Sequence, residues 1–83
     1  MAIVSIKVNL LGRGKITQKD LDLRYILADT IESRKLGEII EEGTGQGFFQ
    51  IDIDCAGNPE QILEIQSILQ SLGIYSESEI NIG

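Results

Sequence analysis

Residues 3–10, IVSIKVNL, alternate strictly: Val4, Ile6, Val8 and Leu10 fall on one side, and Ile3, Ser5, Lys7 and Asn9 on the other. A period of two over this length predicts a strand with one face buried. Gly12-Arg13-Gly14 then breaks the pattern and supplies a flexible connection. Thr17 followed by Asp20 has capping-box spacing, with Asp in place of Glu or Gln. Leu23, Ile26, Leu27 and Ile31 follow near helical spacing, which predicts a helix running to about Lys35. Arg34 and Lys35 would occupy its last turn, where positive charge suits the helix dipole. Gly37 stands just beyond, where a helix terminates easily.

Residues 38–42, EIIEE, predict a short strand whose phase is ambiguous because Ile39 and Ile40 are adjacent. Residues 43–47, GTGQG, predict the turn of a hairpin with a mobile glycine tip. Residues 48–55, FFQIDIDC, alternate again, with Phe49, Ile51, Ile53 and Cys55 inward and Phe48, Gln50, Asp52 and Asp54 outward. Asn58-Pro59-Glu60-Gln61 is a helix start: Asn caps well, Pro suits the first helical position and Gln61 completes the capping-box spacing. Ile62, Ile65, Ile68, Leu69 and Leu72 form the apolar stripe of that helix, and Gly73 ends it. Ile80 and Ile82 alternate in the tail and predict a last short strand.

The order strand, helix, strand, strand, helix, strand predicts an α+β fold. Right-handed crossovers and a hairpin between the middle strands lead to the ferredoxin-like βαββαβ plait. Its antiparallel four-stranded sheet has order 4-1-3-2, and both helices lie on one face. Residues 1–83 read as one such domain, with no internal repeat or low-complexity segment.

Charge and composition narrow the chemistry. Thirteen acidic residues against seven basic ones give a net charge of −6, so the chain repels phosphate backbones and anionic lipid surfaces. The expected partners are basic proteins, metal cations or the protein itself, although acidity also serves solubility alone. Histidine is absent and Cys55 is the only cysteine, which removes His-dependent triads, His-ligated metals, Cys-based zinc sites and intramolecular disulfides. The core of an 83-residue chain with 42% hydrophobic residues outweighs chain entropy narrowly, so a dimer that buries more apolar surface would help. No apolar run approaches about 18 residues, and the start MAIVSIKVNL has no charged region ahead of an apolar one. The expected setting is cytoplasmic, without a membrane.

Several segments suggest particular chemistry. GTGQG looks like a phosphate loop, but a phosphate cradle needs glycines leading into a helix N-terminus, and these lead into a strand. The stretch from Gln46 to Ile53 is similar in part to the third-strand signature of RNA-recognition motifs, which share this plait. Only Gly47 and Phe48 match it; Gln50 and Asp52 fall where neutral or stacking groups are expected, and the first strand offers no outward aromatic. Nucleic acid is therefore not an expected partner. Asp52 and Asp54 share the outward face, and Glu41 or Glu42 could approach them across the hairpin, an oxygen cluster of the kind that suits Mg²⁺ or Ca²⁺. Solvated carboxylates on an open sheet are the simpler reading, and no residue is assigned to a metal. Cys55 falls inward as a small hydrophobe. Tyr25 and Tyr75 read as packing residues, Tyr75 covering an edge of the core. Arg13 and Lys15, beside glycines, could hold an anionic ligand. Small-ligand sensing domains of the amino-acid-binding type resemble this topology and bind effectors near the first loop.

The outward face of the sheet remains. Ile3 and Phe48 lie there among Ser5, Lys7, Asn9, Gln50, Asp52 and Asp54, with Gly45 at the hairpin tip. Apolar spots with acidic rims suit a protein contact better than a catalytic cleft. The expectation is a small binding protein without catalytic residues or cofactors, contacting a protein partner or a second copy of itself, as an inhibitor or an immunity-type protein does. The alternatives are a ligand-sensing module using Arg13 and Lys15, and a metal-dependent enzyme using Asp52 and Asp54.

Overall fold

In the computed structural model, residues 2–11, 18–45 and 47–83 are described, with backbone alone for residues 2 and 19–21. The alternating segments become strands β1 (Ala2–Asn9) and β3 (Phe48–Cys55), which pair antiparallel along their whole length, Ala2 opposite Cys55 and Asn9 opposite Phe48. Val4, Ile6, Val8, Phe49, Ile51 and Ile53 are all buried on one side of these central strands. Helices α1 (Gln18–Ser33) and α2 (Pro59–Ser71) cover that side. Strands β2 (Glu38–Gly45) and β4 (Ser78–Ile82) form the edges. The sheet order is 2-3-1-4, the expected order read from the other end, and the fold is ferredoxin-like. One apolar cluster joins the inward strand residues to Leu23, Leu27 and Ile31 of α1 and to Ile65, Ile68 and Leu69 of α2.

The second helix starts as its residues require. Asn58 is the N-cap and its Oδ1 accepts from the Gln61 N–H at 2.9 Å. Gln61 Oε1 accepts in turn from the Gly57 N–H at 3.0 Å, one residue earlier than the usual reciprocal bond. Its Nε2 also reaches the Leu36 carbonyl, which ties the start of α2 to the end of α1. The Thr17–Asp20 capping box lies outside the described residues, as does the Gly12-Arg13-Gly14 connection.

Both helices end in the same way. After α1 the Lys35 N–H donates to the Glu32 carbonyl and the Leu36 N–H to the Ile31 carbonyl; after α2, Gly73 donates to Gln70 and Ile74 to Leu69. Each is a Schellman motif closed by a buried apolar residue, Leu36 or Ile74. The helix therefore stops at Ser33, and Arg34 and Lys35 lie beyond its last turn. The left-handed position belongs to Lys35 (φ 54°), not to Gly37. Gly37 is needed for close approach instead: a Cβ there would stand 2.8 Å from both the Asp54 carbonyl oxygen and the Cys55 Cβ.

Other details differ from the expectation or resolve it. Strand β2 runs three residues past Glu42, through Gly43, Thr44 and Gly45, because β3 offers paired backbone as far as Phe48. Its phase is resolved by a bulge: Ile39 faces Ile53, Glu41 faces Asp52, and Ile40 has no opposite number. Ile26 and Tyr25 do not pack into the core, being 45% and 63% exposed, whereas Tyr75, 43% exposed, lies at the surface beside Ile80. Tyr25 instead lies against Arg24, whose guanidinium carbon is 4.6 Å from the ring centre.

Candidate functional site

The helix-free side of the sheet is laid out by register. Four rows run across the strands in the order β2, β3, β1, β4. Glu38, Asp54, Ile3 and Gly83 form the first row, and Glu41, Asp52, Ser5 and Asn81 the second. Gly43, Gln50, Lys7 and Glu79 form the third; Gly45, Phe48 and Asn9 close the end nearest the hairpin turn. Phe48, Gln50, Asp52, Asp54 and Ile3 are thus brought onto one face, as their alternation predicts. Arg13 and Lys15 lie outside the described residues.

Gly45 belongs to this face in a way its sequence neighbours do not announce. It sits in the edge strand directly opposite Phe48, and a Cβ on it would run into the Phe48 ring. The ring lies down over the glycine, an aromatic covering the gap a glycine leaves in an edge strand. Lys7 extends over the same ring, its Nζ 4.7 Å from the centroid. Phe48 is consequently half-buried within the face. Where β3 begins, the Leu10 N–H donates to the Gly47 carbonyl at 2.6 Å and Gly47 takes φ 75°. Gln46, at the tip itself, lies outside the described residues.

Electrostatically the face is one-sided. Glu38 stands opposite Asp54 and Glu41 opposite Asp52, two like-charged cross-strand pairs. Such pairs disfavour the folded sheet by roughly 0.2–1 kcal/mol each. Gln50 Nε2 donates to Asp52 Oδ1 at 3.0 Å, the one polar bond from a neighbouring side chain seen on these carboxylates among the described residues. A shallow groove beside them is lined by Glu41, Gly43, Phe48, Gln50 and Asp52. Among the described residues no group of three or more carboxylate or thiol side chains is placed to hold a metal ion.

Glu42 goes to the opposite side of the sheet, where it meets Arg24 of α1 at 3.4 Å. The bulge makes this division, because without it Glu42 and not Glu41 would share the face with Glu38. Glu38, Glu41 and Glu79 are therefore functional candidates that the sequence reading missed or left ambiguous. Glu79 was legible, since Ile80 turned inward puts its neighbours outward. The pairing of Glu41 with Asp52 was not, because a bulge arises between strands. Cys55 is buried, as its inward phase implies.

These features define a ferredoxin-like α+β plait with an uncovered acidic sheet face. No protein-family model, no curated protein and no solved structure matches the chain.

Proposed function

We propose that this chain is a small non-enzymatic binding protein whose open sheet face contacts a protein partner or a second copy, in the manner of an inhibitor or immunity-type protein. The observation that carries the reading is the face itself: Ile3, 44% exposed, and the Phe48 ring are set among carboxylates, with no helix of the described residues over them. An apolar centre with a polar surround is how protein contacts are built. The absence of histidine and the burial of the lone thiol Cys55 leave the common nucleophilic and acid–base machineries without their residues. A cytoplasmic setting accords with that single buried thiol.

The test is capture by the whole chain from its native host, comparing wild type with Phe48→Glu and with Tyr25→Glu as a control on the helix side. Light scattering on the three proteins accompanies it. The expected result is a partner, or a dimer, retained by wild type and Tyr25→Glu and lost in Phe48→Glu, with far-UV circular dichroism unchanged. Binding that survives Phe48→Glu and fails in Tyr25→Glu would move the contact to the helices.

A further inference from the structure

Resting on the reading that the open face is a contact surface, we infer that its occupant is a cationic, arginine-rich protein surface and not a second copy of this chain. The inference comes from how acids are arranged on the open face, opposed in pairs around apolar residues. On the helix side Glu42 and Glu64 are partnered by Arg24 and Arg34, at 3.4 and 3.6 Å, and Asp29 and Glu32 of α1 are spaced along the helix and not paired across strands. On the open face the described carboxylates are Glu38, Glu41, Asp52, Asp54 and Glu79, and the described cation is Lys7, already drawn over the Phe48 ring.

Two copies meeting face to face would set these carboxylates against their own kind. At contact range such charges stand closer than the screening length of about 8 Å at physiological salt, and like-charge juxtaposition costs several kcal/mol. The same field excludes nucleic acid and anionic lipid. A guanidinium meets every feature of the face. Opposed side chains on neighbouring strands have Cβ atoms roughly 4.5–5.5 Å apart, so one planar fork can bridge the Glu41 and Asp52 carboxylates, and a second the Glu38 and Asp54 pair. Phe48, one row beyond Gln50 from those pairs, adds apolar surface at the hairpin end of the face. Ile3, in the same row as Asp54, supplies the apolar contact that lets such a surface dock and desolvate.

The pairing explains a feature the isolated fold does not. Opposed acids weaken the β2–β3 hairpin, and the bulge at Ile40 is what sets Glu41 opposite Asp52. A cation shared between them converts that repulsion into attraction on binding.

The test titrates the isotopically labelled full chain with a deca-arginine peptide and, separately, with a deca-glutamate peptide, following backbone amide shifts. Wild type, Glu41→Gln/Asp52→Asn and the helix-side control Asp29→Asn/Glu32→Gln are compared, with urea unfolding of each. Deca-arginine is expected to shift amides of β1, β2 and β3 around Glu41 and Asp52. Its Kd should weaken about tenfold in Glu41→Gln/Asp52→Asn, equivalent to roughly 1.4 kcal/mol, and stay within about twofold in the control. The face variant should also unfold at higher urea than wild type, which separates lost binding from lost folding. Shifts centred on the helices, equal weakening in the control, binding of deca-glutamate or no binding of deca-arginine would each overturn the inference. A dimer that Phe48→Glu dissociates would overturn it too, while leaving the contact-surface reading intact. Capture unaffected by Phe48→Glu would defeat that reading itself.

Discussion

Two glycines of this chain act through the space they leave. Gly45 gives the Phe48 ring a floor, and Gly37 lets the chain between α1 and β2 press against β3. At Gly37 a methyl group would meet the Ile53 side chain and the Asp54 carbonyl oxygen together, and a backbone atom cannot move aside as a side-chain end can. Gly37→Ala should therefore destabilise the protein by about 1–3 kcal/mol, read as a lower urea midpoint with an unchanged slope. Sequence reasoning assigned Gly37 to helix termination, because glycine after a basic turn is the common signature. The left-handed residue is Lys35, a position no propensity marks. Ile26 was misread for a related reason: it sits one residue before Leu27, so spacing alone admits it to the stripe, and packing leaves it at the margin.

At the level of elements, β1 and β3 were legible in full, since a strand with one buried face must alternate and these do without interruption. The start of α2 was legible because Asn, Pro and Gln each satisfy a definite need of a helix end. The phase of β2 was not, and neither was its length: the bulge and the pairing of Gly43 and Gly45 are properties of the two-strand ladder. The bulge makes adjacent isoleucines unequal. Ile39 faces the fully buried Ile53, whereas Ile40 is half-exposed and unpaired. Ile53→Ala should cost about 2–5 kcal/mol, while Ile40→Thr should remain within about 0.5 kcal/mol of wild type by thermal or urea unfolding. A large loss at Ile40 would mean that it is packed. The bulge and the acidic side chains also blunt the β2 edge against pairing with another sheet.

For the whole molecule, the net charge of −6 includes two ion pairs on the helix side and acids directly opposed across strands on the open face. Added salt screens repulsion on the open face more than it weakens the two exposed or half-exposed ion pairs, which contribute little. Stability should accordingly rise, by on the order of 1 kcal/mol, as sodium chloride increases from about 20 to about 200 mM. A urea midpoint that falls with salt would show the ion pairs dominating. The fold was readable from the chain because periodicity, caps and turn spacing agree on one topology. The candidate face was readable only in part, since the acids of β2 and β4 join those of β3 through register.

Cys55 Cβ lies against Gly37, in the elbow between α1 and β2, and the only thiol in the chain is buried there. A buried sulfur reacts through local or global opening of the structure around it. The rate at which a thiol reagent modifies native Cys55 is thus a built-in clock for that opening. In Gly37→Ala the clock should run faster by more than the loss of global stability requires, if the elbow opens on its own.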